Sequence, residues 1–288
     1  MQVRRHHESE NMSHAETSRY AAFHRRSIAD RDAFWAEQAG LIEWREPFKT
    51  VCDHSHPPFA KWFVGGTTNL CHNAVDRHLK ARADQAALIW VSTETDQERV
   101  YSFRELHAEV QRMAACLLAL GVKQGDRVLI YMPMIAEASF AMLACARIGA
   151  IHSVVFGGFA SGSLASRIDD AQPMVIVSAD AGSRAGKVIA YKPLLDEAIR
   201  LATHQPPKVL LVDRGLAPIE RRPGRDEDYA ALRDAHLDTV VPCVWLESNT
   251  PSYTLYTSGT TGKPKGVQRD TGGYCVALAA SMKHIFCG

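Results

Sequence analysis

The run RVLIYMPMIAEASFAMLACARIGAIHSVVF, Arg127 through Phe156, decides the fold class. It opens on Arg127 to Met132, where every residue after the arginine is apolar or aromatic, and Pro133 follows. A strand with no polar alternation has no water-facing side, which marks a parallel strand covered on both faces. Ile135 to Arg147 then reads as a helix rich in Ala, Met and Leu, and Ile151 to Phe156 as a second strand. The alternation continues downstream. Leu164 to Ala171 is a helix stopped by Pro173, and Val175 to Ser178 is a strand. Pro193 to Thr203 is a helix with Pro in its first turn, and Val209 to Val212 is a strand. Strands alternating with helices predict an α/β fold with a right-handed, doubly wound, mainly parallel sheet. Residues 214 to 236, rich in Arg, Pro, Gly and Asp, read as a solvated connection before Val240 to Leu246.

Upstream, Ala86 to Val91 and Arg99 to Tyr101 read as two strands around the turn Glu94-Thr95-Asp96. Ser102 and Glu105 then form an S-x-x-E capping box, with Tyr101 and Leu106 placed as a hydrophobic staple. Leu106, Val110, Met113 and Leu117 keep helical spacing until Gly121 supplies a left-handed stop. Residues 19 to about 80 form a separate, mostly helical or irregular region. Its aromatic anchors are Tyr20, Phe23, Phe34, Trp35, Trp44, Phe48, Phe59, Trp62 and Phe63. Ser27 to Asp30 leads a short helix with Phe34 and Trp35 on its apolar side. His54, His56, Pro57 and Pro58 read as a polar loop rather than a metal site. The expected organisation is therefore a disordered tail over 1–18, the region 19–80, and an α/β domain over 81–288.

Composition narrows the function classes. The chain has 288 residues, 46% hydrophobic and 23% charged, which excludes a disordered, collagen-like or disulfide-stapled protein. Lys and Arg number 33 against 32 Asp and Glu, so no overall basic surplus invites nucleic acid or an anionic membrane. Arg147 and the surrounding glycines and prolines interrupt the most apolar stretch, Ala138 to Phe159, and argue against a membrane span. The cysteines at 52, 71, 116, 145, 243, 275 and 287 contain no C-x-x-C, which speaks against a zinc ribbon or a disulfide scaffold. Cys116 and Cys145 read as core residues, and a reducing cytoplasm is expected. The first 18 residues lack the apolar core of a signal peptide. Glu8, Glu10 and Glu16 argue against a mitochondrial leader, and Met12 is an alternative start. His6-His7 reads as solvated.

Chemistry concentrates in Tyr256-Thr257-Ser258-Gly259-Thr260-Thr261-Gly262-Lys263-Pro264-Lys265-Gly266, after the strand Tyr253 to Tyr256. Three glycines let the backbone approach an anion, and successive N–H groups make a nest for phosphate oxygens. Thr257, Ser258, Thr260 and Thr261 add hydroxyls, while Lys263 and Lys265 add charge. Two residues separate Gly259 from Gly262 and Pro264 follows Lys263, so this is not a Walker A loop.

This string resembles the phosphate-binding signature of the adenylate-forming enzymes, which include acyl-CoA synthetases, luciferases and adenylation domains. Other blocks resemble the short-chain acyl-CoA branch: Asn73 to His78, Tyr131 to Met134, Ala144 to Ala150, Val155 to Phe159 and Thr271 to Tyr274. The resemblance runs from about residue 19 to the end, and Arg269 to Tyr274 favours propionate over acetate as the acid. It implies two steps: a carboxylate attacks Mg·ATP to give an acyl-adenylate, then coenzyme A displaces AMP. It assigns the β- and γ-phosphates to Thr257, Ser258, Gly259, Thr260, Thr261, Gly262, Lys263, Lys265 and Gly266. It also assigns the 3′-phosphate of CoA to Arg184, Ala185, Gly186 and Lys187. The branch has two glycines between two arginines there, so Ala185 and Lys187 depart from its pattern, and a lysine loses the bidentate fork.

Gly157-Gly158-Phe159 reads equally as a tight turn or a ligand contact, and His152 as a packing residue. The resemblance places the acyl pocket, the adenine site and the catalytic lysine beyond Gly288. The chain therefore reads as an N-terminal fragment with no catalytic residue or resident metal, incompetent for turnover alone. An unfinished sheet is expected to expose apolar surface. The partners implied are a small carboxylate, ATP and CoA, with Mg2+ accompanying ATP. No nucleic acid or membrane is implied, and the oligomeric state is open. A truncated phosphate-binding module without catalysis is the alternative.

Overall fold

A computed structural model describes residues 19–184, 186–257 and 264–286. The expected tail over 1–18, with Met12 and His6-His7, lies outside them. The centre is a seven-stranded sheet of β1 (Arg127–Met132), β2 (Ile151–Phe156), β3 (Val175–Ala179), β4 (Lys208–Val212), β5 (Asp226–Asp228), β6 (Pro251–Thr257) and β7 (Lys265–Asp270). Its order is β5-β4-β3-β1-β2-β6-β7, parallel throughout except for β6 against β7. The chain leaves β1 for β2 on one side and returns through β3 to the other, so the sheet is doubly wound.

Alternate residues of each central strand feed two cores, because successive side chains point to opposite faces. Val128, Ile130 and Met132 meet α1 (Phe103–Ala119) and α2 (Ala136–Ile148), together with Val175 and Val177. Leu129 and Tyr131 meet α3 (Ser161–Ala171) and α4 (Tyr191–Leu201), together with Ile176 and Leu211. The expected capping box of α1 is present: Glu105 N donates to Ser102 Oγ at 3.2 Å, and Ser102 N donates to Glu105 Oε2 at 2.8 Å. Leu106, Val110, Met113 and Leu117 are all buried on its core side. Gly121 follows at φ +89, a left-handed geometry that a side chain would strain.

Cover is uneven. Every residue of β3 is buried, whereas in β2 only Ile151, Ser153 and Val155 are. Val154 and Phe156 are exposed, as are Leu255 of β6 and Val267 of β7. A mostly apolar groove of about 670 Å3 runs past Val154, Leu255, Met142 and Leu143. β2 and β6 meet through one aligned pair, His152 opposite Tyr253.

The helix α5 (Gly272–His284) packs mainly on the N-terminal region and reaches the sheet's open face through Tyr274, whose ring lies 4.8 Å from that of Tyr253. Cys275 and Val276 join Ala39, Ile42 and Phe63 in a third core, with Trp35, Trp44, Phe48 and Trp62 around it. His284 Nε2 lies 2.8 Å from Gln38 Oε1. Of the expected anchors, Tyr20 and Phe59 are exposed, 75% and 78%, so they anchor nothing in the core.

Three other expectations need correction. His54 and His56 are not in a loop: Thr50–His56 pairs antiparallel with Phe59–Val64, so only Pro57-Pro58 turns the hairpin. Residues 214–236 are not merely solvated. They carry β5 and the helix Tyr229–Asp234, with Asp226 and Tyr229 buried. Asp226 is held 3.0 Å from buried Lys192 Nζ, which explains how a charged strand completes the sheet. The helix expected over Pro193 to Thr203, α4, starts at Tyr191, two residues before Pro193. Cys116 and Cys145 are core residues, as expected.

Candidate functional site

β1, β2, β3, β4 and β6 run parallel, so their carboxyl ends share one edge of the sheet. Ligands of open α/β sheets collect at such an edge. Thr257 ends β6 there, and Lys265 begins β7 directly opposite it. Ser258, Gly259, Thr260, Thr261, Gly262 and Lys263 lie outside the described residues. Their two attachment points are fixed: the Thr257 hydroxyl is 3.4 Å from Lys265 O, and Gly266 pairs with Tyr256. Gly266 has no room for a side chain without displacement, since a Cβ would sit 3.0 Å from Thr254 and 3.3 Å from the Tyr256 ring. Lys265 is exposed at this edge.

The end of β6 is fastened to α3. Tyr256 Oη donates to Asp170 Oδ2 at 2.6 Å, and the Arg167 guanidinium lies over the Tyr256 and Phe159 rings at 5.6 and 4.9 Å. Burial and the Asp170 carboxylate push the Tyr256 phenol up, so it is a neutral donor at any physiological pH. Arg167 is itself buried and donates to Ser163 O at 2.6 Å. Thus the strand entering the Gly/Thr/Lys loop leaves the sheet from a braced position.

The second predicted spot sits on a hairpin above β3. Ala181–Arg184 pairs antiparallel with Lys187–Ala190, which brings Lys187 opposite Arg184. Ala185 and the Arg184 side chain lie outside the described residues. Gly186 takes φ +75 with open space around it, and Lys187 is exposed. Two residues that the sequence reading passed over hold this hairpin. Glu94 accepts from Ser183 N at 2.8 Å through Oε1 and from Arg214 at 2.8 Å through Oε2. Arg214 also donates to Ala181 O at 2.9 Å. Glu94 had read as part of a polar turn and Arg214 as the start of a solvated connection. No local spacing links residues 120 positions apart, so only the fold reveals the clamp.

The pair Gly157-Gly158 resolves toward packing. A Cβ on Gly157 would lie 2.2 Å from Tyr191 Oη, and one on Gly182 would lie 2.5 Å from the same atom. The Tyr191 ring therefore fills the space between the β2 and β3 exits, 5.1 Å from the Tyr131 ring. Tyr131 Oη donates to Phe159 O at 3.3 Å, and burial pushes its phenol up to about 12. His152 packs as well: its ring stacks on Tyr253, and its buried Nδ1 has no partner among the described residues. Burial lowers its pKa to about 4, which leaves it neutral at pH 7.

Among the described residues the cluster with metal-ligand proximity is Cys71, Asp76 and Cys243. Two thiols and a carboxylate already paired with Arg147 do not suit Mg2+, which takes oxygen ligands in octahedral geometry. Among the described residues no helix is long and apolar enough to cross a membrane.

Known proteins share this layout. Residues 75–287 match the family model of the AMP-binding enzymes, and residues 20–74 match the acetyl-coenzyme A synthetase N-terminus. The chain is 65% identical over 269 residues to a propionate–CoA ligase of Salmonella typhimurium and 63% identical to one of Escherichia coli. Each match covers 93% of this chain and 43% of the relative. An acetyl-coenzyme A synthetase of Methylobacterium radiotolerans is 45% identical over 278 residues, 95% of this chain and 43% of the relative. The solved acetoacetyl-CoA synthetase from Streptomyces lividans superposes with a TM-score of 0.83 at 30% identity, over 92% of this chain and 40% of that one. The chain thus spans less than half the length of these relatives.

Proposed function

The chain belongs to the AMP-binding enzyme family, and from that membership we propose that it serves the ATP-dependent ligation of a short-chain carboxylate to coenzyme A. Propionate is the favoured acid and acetate the alternative, because the propionate–CoA ligases are the more similar of the relatives above. In the first step a carboxylate oxygen attacks the α-phosphorus of Mg·ATP and pyrophosphate leaves. In the second the CoA thiol attacks the acyl carbon and AMP leaves.

Such chemistry needs positioning and charge stabilisation more than covalent help from the protein. In this reading Thr257, Ser258, Gly259, Thr260, Thr261, Gly262, Lys263, Lys265 and Gly266 hold the β- and γ-phosphates. Arg184, Ala185, Gly186 and Lys187 take the 3′-phosphate of CoA, and the Glu94–Arg214 clamp holds their hairpin in place. The observation that carries the proposal is the common edge: the Thr257–Lys265 junction and the Ser183–Lys187 hairpin both rise from the carboxyl ends of parallel strands.

Calorimetric titration tests the assignment. Lys187→Ala should weaken CoA binding about tenfold, the scale of one phosphate contact, and leave dephospho-CoA binding unchanged. Equal losses for both ligands would remove the 3′-phosphate from this hairpin. Propionate-dependent ATP–pyrophosphate exchange tests the chemistry itself. Residues 1–288 alone should bind nucleotide without exchange, and robust exchange by them would overturn the reading that they are incompetent for turnover.

A further inference from the structure

The cluster of Cys71, Asp76, Cys243 and Arg147 plays no part in the proposed chemistry. It lies where the short helix Leu70–Ala74 docks against the end of α2 and the segment 241–245. The Sγ atoms of Cys71 and Cys243 lie within 4.8 Å of each other, although 172 positions separate them in sequence. One side chain holds the two backbones together. The Asn69 amide donates to Ala146 O and to Val244 O, both at 2.8 Å, two residues before Cys71 and one residue after Cys243. Val244 N donates in turn to Arg147 O at 2.8 Å. The thiols are thus kept close by a buried hydrogen-bond network, independently of any bond between them.

We infer that Cys71 and Cys243 are a redox pair, which a peroxide oxidises to a disulfide that staples the N-terminal region to the α/β domain. Cys71 is fully buried and Cys243 partly exposed, so Cys243 meets the oxidant. Its sulfur takes one oxygen from hydrogen peroxide, giving a sulfenic acid and releasing water. The Cys71 sulfur then attacks the Cys243 sulfur, the S–S bond forms, and the sulfenic oxygen leaves as a second water. Two thiols lose two electrons in total, and one peroxide gains them.

The surroundings favour this chemistry over a metal. Arg147 Nη1 stands 3.4 Å from Cys71 Sγ and 2.8 Å from Asp76 Oδ2, and Nη2 stands 2.8 Å from Asp76 Oδ1. The guanidinium therefore occupies both carboxylate oxygens and puts a fixed positive charge where a cation would need to sit. The same charge stabilises a thiolate as it forms. The hydrogen bond with Cys243 and burial hold the Cys71 thiol well above its usual range, so Cys71 resists direct oxidation; its role as the resolving partner rests on its closeness to Cys243 and on the Arg147 charge beside it.

The test treats the purified protein with hydrogen peroxide, alkylates free thiols, and maps tryptic peptides by mass spectrometry. The expected product joins the peptides holding Cys71 and Cys243, and dithiothreitol reverses it. The oxidised protein should melt about 5–10 °C higher, because a long loop is closed in the unfolded chain. Cys243→Ser, at the partly exposed position, should abolish both the cross-link and the shift. Cys71→Ser should leave Cys243 as a sulfenic or sulfinic acid. The inference is overturned if oxidised Cys243 persists while Cys71 stays alkylatable in the unsubstituted protein. A cross-link through another cysteine also overturns it, as does stoichiometric zinc that protects both thiols from alkylation.

Discussion

Two parts of the central sheet carry apolar residues and treat them differently. From β4 to β1 the strands are sealed between two helical layers, and Leu129, Ile130, Val177 and Leu210 are fully buried. From β2 to β7 one face is open, and Val154, Phe156, Leu255 and Val267 meet solvent at 37%, 61%, 48% and 38% exposure. Apolar sequence alone therefore does not make core. The helix that follows the sheet, α5, caps the aromatic N-terminal region and flanks the open face with Tyr274 and Leu278 without covering it. The same valine or leucine contributes a full transfer free energy in the sealed part and only about half of it in the open part.

The largest expected break in this contrast is on the sealed side. Asp76 receives both Arg147 Nη atoms at 2.8 Å, and Arg147 is 3% exposed. Asp76→Ala strands a buried guanidinium and should lower the unfolding free energy by about 3–5 kcal/mol, read from urea denaturation. Burial raises the Asp76 pKa, but hydrogen bonds from His107 and Arg147 outweigh it and hold the carboxyl well below the usual range. The pair's stabilisation is therefore complete at neutral pH and fades as pH falls below the ordinary carboxylate range. Next, Leu129→Ala should cost about 2–5 kcal/mol by leaving a cavity under α3 and α4. If Leu129→Ala cost no more than an equal truncation of Leu255, the distinction between sealed and open edges would collapse.

His152 stands where cover ends, and it sharpens the comparison through pH. Its pKa falls from 6.5 to about 4 on burial, so the fold holds it neutral. The unfolded chain binds the proton more readily. Stability is then complete above pH 6.5 and declines between 6.5 and about 4, by on the order of 3 kcal/mol. In His152→Gln that slope should vanish from a series of melting curves. The smallest effect belongs to the open edge. Leu255→Thr should change stability by no more than about 0.5 kcal/mol while reducing aggregation seen by light scattering.

How much of this was legible beforehand depended on local signals. The strands β1 to β4 were readable because each is a largely apolar run, although β2 is covered on one face only. The start of α1 was readable because its cap is local. The hairpin Ala181–Ala190 was not, since Ala-Gly-Ser-Arg carries neither alternation nor aromatic residues. Strand β7, Lys-Gly-Val-Gln-Arg-Asp, lies at the edge and is almost wholly exposed, so no burial pattern marked it. In α5 apolar residues surround the helix on several sides, and only the family resemblance drew attention to its start. For the candidate site, glycine, hydroxyl and lysine density exposed the loop after β6. The clamp of Glu94 and Arg214 and the wedge of Tyr191 are products of tertiary assembly, and their residue types are ordinary in sequence.

The third core has a consequence in time. Phe63 leaves the ribosome 212 residues before its partner Cys275. At roughly 5–20 residues per second, the cluster of Trp35, Trp44, Phe48 and Phe63 waits about 10–40 s for the helix that covers it. For that interval the nascent chain presents a patch of indole and phenyl rings to solvent, which leaves it open to aggregation until Cys275 and Val276 arrive.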